Sequence, residues 1–259
     1  MNRYEAQLSN KTALALFMQS VESTQSVIAF ADHITTVLNI DELRLISKAL
    51  FDTGLPVGWP LSEQPGFSTA GIRLGNLNLE LCAVDRQQIA LDDWLTFEPT
   101  NLENLESELV SRGIAHDPFD EVVIHGHPIY TRVGLPALSV GKTAFQLCHT
   151  FFPTRMSGPI APKNTAGIQS VNQIIVGMND FHRQIMRSLL VPKSCAESIN
   201  FPEGPDLVVV PAQHLEIKRL EVRAENAGTA VKILTAAGMS RVDERMVQVG
   251  SLKLSLSDS

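Results

Sequence analysis

Apolar and polar positions along the chain fall into one arrangement that recurs four times. A short apolar strand is followed by an asparagine close to a helix start, an amphipathic helix of about three turns, and then more strands. The first copy runs Asp32-His33-Ile34-Thr35-Thr36-Val37-Leu38-Asn39. A helix predicted from Asp41 sets Leu43, Ile46, Leu50 and Phe51 on one stripe and stops near Gly54. Strands are predicted at Pro56–Trp59, Thr69–Leu74 and Leu77–Ala83. The second copy has a strand Asp93–Pro99, Asn101, a helix with Leu102, Leu105, Leu109 and Val110 inward, a stop at Gly113, and a last strand Ala144–Thr150. The third has Val171–Met178, Asn179, a helix Asp180–Leu190 halted by Pro192, and a strand Leu207–Val210. The fourth has Ile217–Ala224, Asn226, a helix to Ala237 ended by Gly238, and a closing hairpin Met246–Leu256.

Two local matches carry the repeat beyond periodicity. Ile72-Arg73-Leu74-Gly75-Asn76-Leu77-Asn78-Leu79 and Val247-Gln248-Val249-Gly250-Ser251-Leu252-Lys253-Leu254 share their apolar/polar order, with Gly-Asn and Gly-Ser at a two-residue turn. Glu80-Leu81-Cys82 is likewise parallel to Gln146-Leu147-Cys148. The domain organisation that follows is an N-terminal helical extension over 1–25, a first paired domain over 26–152, a Pro/Gly/Ser-rich linker over 153–167, and a second paired domain over 168–259. In the extension, Ala13, Leu14, Leu16, Phe17 and Val21 form an apolar helical stripe that packs on a core or on another subunit.

Composition narrows the function classes. Of 259 residues, 44% are hydrophobic and 19% charged, enough apolar material for a large core and too much for disorder over most of the chain. With 28 acidic against 21 basic residues and a net charge of -7, and no Lys/Arg cluster to neutralise a run of phosphates, nucleic acid is not an expected partner. Apolar stretches such as Asp206–Ala212 fall far short of the roughly 20 residues of a membrane-spanning helix, so no membrane partner is expected either. The run Ala13–Met18 is short for a signal peptide and no small-residue cleavage site follows it. Cys82, Cys148 and Cys195 are odd in number and widely spaced, which points away from a disulfide framework and towards a reducing cytoplasm.

A βαβββ unit repeated in pairs resembles the vicinal oxygen chelate superfamily, which includes the glyoxalases, the extradiol dioxygenases and the bleomycin-resistance proteins. The resemblance rests on Asp32-His33-Ile34 opening the first strand, on Gly75-Asn76-Leu77-Asn78-Leu79-Glu80-Leu81 closing the first module, and on the helix between them. It covers 28–84 best, 91–150 in part and 170–256 least. It implies an α+β fold of four modules paired into two curved-sheet cups with helices outside, and a divalent metal (Zn, Fe, Mn or Ni) at the base of a cup. By position it implies His33 and Glu80 as metal ligands from the first module and Gln146 from the second, with Glu80 doubling as general base.

Strand alternation agrees: His33, Thr35 and Val37 share one face, and Glu80 lies opposite Leu79 and Leu81, where a carboxylate needs a cation, a donor or water. Six residues before the helix-start asparagine, where His33 precedes Asn39, the other copies have Leu95, Gln173 and Leu220, and the fourth has Ser255 in the place of Glu80. The second pair therefore reads as a degenerate scaffold or dimer-forming half. Extradiol ring cleavage needs two His and one carboxylate, and only His33 stands at a matching position, which argues against that reaction.

Imidazole and carboxylate together suit a metal with open positions for water, but also a metal-free polar pocket or a structural pair. Arg73, Tyr130, Arg132 and Trp59 are the candidate substrate-binding residues, the arginines serving equally as surface ion-pair partners; Phe67 and Trp94 fall near the cup and stack a planar ligand or pack in the core. His125-Gly126-His127 puts two imidazoles on one face of a strand, or in a turn set by Gly126 and Pro128. His149 falls on the face opposite Gln146 in a regular strand. Gly141-Lys142-Thr143 lacks the glycine a phosphate loop needs at 136, and Ala137-Leu138-Ser139-Val140-Gly141 lacks the helix that follows a nucleophile elbow. Cys82 and Cys148 sit beside core leucines and read as small buried hydrophobes. The function implied is a glyoxalase-like metal-dependent enzyme, of lyase, isomerase or dioxygenase type, acting on a small carbonyl or enediol-forming metabolite. The competing reading is a metal-independent binding or resistance protein using the same cup. Paired modules assemble within one chain or across two, so the expected partners are a small-molecule ligand and a second copy in a homodimer.

Overall fold

The computed structural model describes residues 25–84, 91–124, 127–150, 164–190 and 197–259. The N-terminal extension, Cys195, Pro192, His125, Gly126 and most of the predicted linker lie outside these residues, as do the side chains of Phe51 and His127. Two mixed sheets carry the architecture, one of them curled into a half-barrel, with helices between the strands.

The first sheet is built from two modules. β1 (Ile28–Val37), α1 (Ile40–Thr53), β2 (Val57–Gln64), β3 (Phe67–Arg73) and β4 (Asn78–Val84) form one; β5 (Asp93–Pro99), α2 (Leu105–Ser111), β6 (Asp120–Ile124), β7 (His127–Val140) and β8 (Thr143–Thr150) form the other. The strand order is β2-β3-β4-β1-β5-β8-β7-β6. Each module's first strand pairs in parallel with its last, and the two first strands pair antiparallel at the centre. The second sheet repeats this plan with β9 (Ile168–Met178), α3 (Asp180–Leu189), β10 (Ser198–Ile199) and β11 (Asp206–Pro211), then β12 (Glu216–Ala224), α4 (Ala227–Ala236), β13 (Ser240–Arg241), β14 (Met246–Val249) and β15 (Leu252–Asp258). Its order is β10-β11-β9-β12-β15-β14-β13, so among the described residues the third module has one strand fewer than the βαβββ expectation.

Local signals explain the elements. Asn39 caps α1 by accepting from Glu42 N at 2.8 Å while Glu42 reaches back to Asn39 N, a capping box, and Gly54 ends the helix in the left-handed region. Asn179 and Asn226 cap α3 and α4 through the side chain alone, accepting from His182 N and Thr229 N without a reciprocal bond. The second module departs from the expectation. Its helix starts one turn later, at Asn104, whose side chain makes no cap, while Asn101 accepts from Asn104 N. In that seven-residue helix Leu105 and Leu109 are buried but Val110 is 64% exposed, so the inward stripe is narrower than predicted. The apolar faces of both sheets and their helices join one continuous core that runs from Val27 to Leu256.

Candidate functional site

The polar face of the first sheet is organised by cross-strand register. One row runs Arg73, Asn78, His33, Thr96, Gln146 and Gly134; the next runs Trp59, Gly71, Glu80, Thr35 and Trp94. Alternation therefore places His33, Glu80 and Gln146 on the same face, as expected, while Ile34, Leu79, Leu81, Leu95 and Phe97 turn into the core.

The structure brings two of the three candidate ligands together. His33 Nε2 lies 3.8 Å from Glu80 Oε2, and its Nδ1 is 2.7 Å from Asp32 Oδ2. A carboxylate only accepts, so this contact puts the imidazole proton on Nδ1 and directs Nε2 towards Glu80. Asp32 shares this face although it neighbours His33, because β1 slips by one residue between Ala31 and His33. Glu80 is braced on both oxygens: Thr35 Oγ1 donates to Oε2 at 2.8 Å and Thr69 Oγ1 donates to Oε1 at 2.6 Å. Gln146 does not join them. Its Nε2 donates to Thr96 Oγ1 at 2.8 Å, the neighbour its register supplies.

A second imidazole–carboxylate pair stands on the same sheet: His149 Nδ1 is 2.5 Å from Glu98 Oε1. The pairing of β7 with β8 is regular from Val133 to Tyr130, so no bulge turns His149, and it is the ring that reaches Glu98. Burial pushes the Glu98 carboxyl above its ordinary range; the bond to His149 opposes this and the nearby Asp32 charge adds to it. Burial likewise raises the Tyr130 hydroxyl, with Arg132 opposing and Glu80 adding. Arg132 pairs with Asp120 at 2.7 Å and lies 5.9 Å from the Tyr130 ring. Arg73 borders a cavity of about 290 Å³ with Asn78 and Glu203. Trp59 and Trp94 are half-buried on the two sides of Glu80 and Thr35, and Phe67 is 39% exposed, so none of the three is a core residue.

Sequence counting missed Asp32, Thr35, Thr69, Glu98 and Thr96. Counting back from the helix-start asparagines gave Leu95 and Leu220, which the structure buries in the core, whereas the register sets Thr96 beside His33 and Glu221 beside Gln173. In the second sheet the corresponding row holds Asp206, Gln173, Glu221 and Ser255, and Glu221 pairs with Arg219. Gly141-Lys142 is the tight turn between β7 and β8 and Thr143 opens β8, with Lys142 bound to Asp92, and Ala137–Val140 lies within β7.

For a divalent ion, His33 and Glu80 fit in chemistry: a nitrogen and an oxygen donor, each held by a second group, spaced so that two bonds of about 2.0–2.2 Å meet between them. Among the described residues no group of three or more His, Cys, Asp and Glu that could hold a metal ion is gathered.

No family model and no curated protein sequence matches the chain. Solved structures do. Homoprotocatechuate 2,3-dioxygenase from Brevibacterium fuscum, in its complex with 3,4-dihydroxyphenylacetate, is 11% identical and superposes with a TM-score of 0.55 over 92% of this chain and 83% of that one. The enzyme of the same name from Arthrobacter globiformis gives 0.54 with the same identity and coverage. A variant of 4-hydroxymandelate synthase from Streptomyces coelicolor gives 0.51 at 12% identity, over 84% of this chain and 76% of that one. These neighbours are members of the vicinal oxygen chelate superfamily, and the chain has the fold they share. At such identities the likeness speaks to fold alone. Among the described residues no helix is long and apolar enough to cross a membrane.

Proposed function

We propose that the chain is a glyoxalase-like, metal-dependent enzyme acting on a small oxygenated metabolite, one that carries a carbonyl or forms an enediol. The observation that carries this reading is the Asp32–His33–Glu80 arrangement: an imidazole whose far nitrogen is fixed by a carboxylate and whose near nitrogen faces a second, doubly braced carboxylate. His33 and Glu80 would hold a divalent ion, Zn, Fe, Mn or Ni, which when bound polarises a carbonyl or stabilises an enediolate. Asp32 keeps the His33 ring in one tautomer and orientation. Thr35 and Thr69 keep Glu80 from rotating away, and Glu80 is the base placed to take a proton from a bound substrate. Trp59 and Trp94 offer aromatic surface to a planar substrate, and Tyr130, Arg132 and Arg73 offer polar contacts further along the same face.

Elemental analysis of untagged protein after incubation with Mn, Fe, Ni and Zn tests the reading. Stoichiometric metal in the wild type that is lost in Glu80→Ala and in His33→Ala is the expected result. No metal in the wild type removes the chelate. Gln146, committed to Thr96, would then favour the second reading, in which the same cup binds a small molecule without metal.

A further inference from the structure

Trp59 lies on β2, the edge strand of the first sheet, directly across from Gly71 on β3. Its ring rests on that glycine: a Cβ at Gly71 would come within 2.3 Å of Trp59 Cε3 and 2.4 Å of Cδ2. The absence of a side chain at 71 is therefore what lets the indole lie flat on the sheet. In that pose Trp59 Nε1 donates to Thr69 Oγ1 at 3.2 Å, and Thr69 Oγ1 donates its own proton to Glu80 Oε1 at 2.6 Å. A hydroxyl has one proton and two lone pairs, so filling one lone pair with the indole N–H leaves the proton committed to the carboxylate. The chain of donors runs one way, from ring to hydroxyl to Glu80, and each bond polarises the next.

We propose that Trp59 acts through Thr69 as a positioning residue for the Glu80 carboxylate. Its role in the cup is to fix a ligand group one residue removed, in addition to any contact with substrate. This rests on the reading of Glu80 as a metal ligand only for its effect on affinity; the relay itself is testable without metal.

Two measurements decide it. The first is the affinity of the protein for Co(II) alone, by equilibrium dialysis. Outer partners of metal ligands are worth about 10–100-fold in affinity, so Thr69→Val and Trp59→Phe are each expected to weaken Co(II) binding about 10-fold or more. Thr69→Ser, which keeps the hydroxyl, is expected to bind as the wild type does. The double variant Thr69→Val/Trp59→Phe is expected to lose no more than the single ones, because both act through the same carboxylate. The second is the indole N–H resonance of the 15N-labelled metal-free protein. The signal of Trp59 is expected to move in Thr69→Val and Glu80→Gln while that of Trp94 stays.

Co(II) affinity unchanged in both single variants, losses that add in the double variant, or a Trp59 resonance indifferent to Thr69→Val would each overturn the proposal. A wild type that takes up no Co(II) overturns the metal reading instead, and the resonance then decides the relay by itself.

Discussion

Thr35 is fully buried and sends its one proton to Glu80. Replacing it with valine keeps the shape and leaves a partly buried carboxylate one donor short. Hydrogen bonds to charged groups are worth about 1.5–3 kcal/mol, and Thr35→Val should lower stability by an amount in that range, read from urea unfolding midpoints at constant slope. The cysteines mark the opposite case. Burial pushes the Cys148 thiol up to about 12, with the Asp32 and Glu98 charges adding, and raises Cys82 likewise, with Glu80 adding. Neither forms appreciable thiolate near neutrality. Peptides containing Cys82 and Cys148 should therefore resist alkylation in the native protein at pH 8 and react once it is unfolded. Single residues were legible in the sequence where alternation alone decides the face, as for His33, Glu80 and Gln146. Asp32 was not, since a bulge turns it against the alternation, and Thr69 and Thr35 were not, since a hydroxyl on a strand carries no signal until its partner across the sheet is known. Gln146 had the right face but the wrong neighbour, because its register sets it beside Thr96.

Elements follow the same division between local and non-local information. Helix starts were readable wherever the asparagine side chain makes the cap, as at Asn39, Asn179 and Asn226. The start at Asn104 escaped because Asn101 presents the same signal three residues earlier and spends it on Asn104 N. The difference is measurable. Asn39→Ala removes a capping box and should cost about 1 kcal/mol, whereas Asn104→Ala removes no side-chain bond and should cost only a few tenths; paired denaturation curves compare them directly. Strand ends were read short for β2, predicted as Pro56–Trp59 and found to reach Gln64. Its second half, with Ser62, Glu63 and Gln64 exposed on a sheet edge, buries no alternate face and so shows no period of two. Both hairpin turns were legible: Gly75 and Gly250 have φ of 79° and 57°, the left-handed backbone that their sequence positions require.

At the scale of the molecule these two turns do something their local sequence does not announce. The turn of the first module docks on β9, the first strand of the second half, where Asn76 accepts from Val171 N at 2.8 Å and donates to Val171 O at 3.0 Å. The corresponding turn of the fourth module docks on β1 and β5, where Ser251 donates to Asp93 Oδ2. A Cβ at Gly75 would meet Gln169 O at 1.9 Å, and one at Gly250 would meet Thr36 Oγ1 at 2.5 Å, so each turn closes on the opposite half with backbone at contact distance. The reciprocal docking embeds a carboxyl between the halves: Asp93 is 4% exposed, and its Oδ1 has no hydrogen-bond partner among the described residues. Burial raises its pKa from the ordinary 3.8, the bonds from Ser251 and Thr36 oppose the rise, and the neighbouring Asp92 charge adds to it. The folded state therefore holds this proton more tightly than the unfolded chain does. The stability it contributes is complete below the ordinary carboxylate value and is lost as pH climbs through the raised one. Asp93→Asn, which cannot ionise, should lack this loss. Unfolding free energies measured from pH 4 upward should fall more steeply with pH in the wild type than in Asp93→Asn, the two lines diverging as pH rises. A variant that instead loses ground to the wild type with rising pH would show that Asp93 is stabilised as a carboxylate and that the contact between the halves favours its charge.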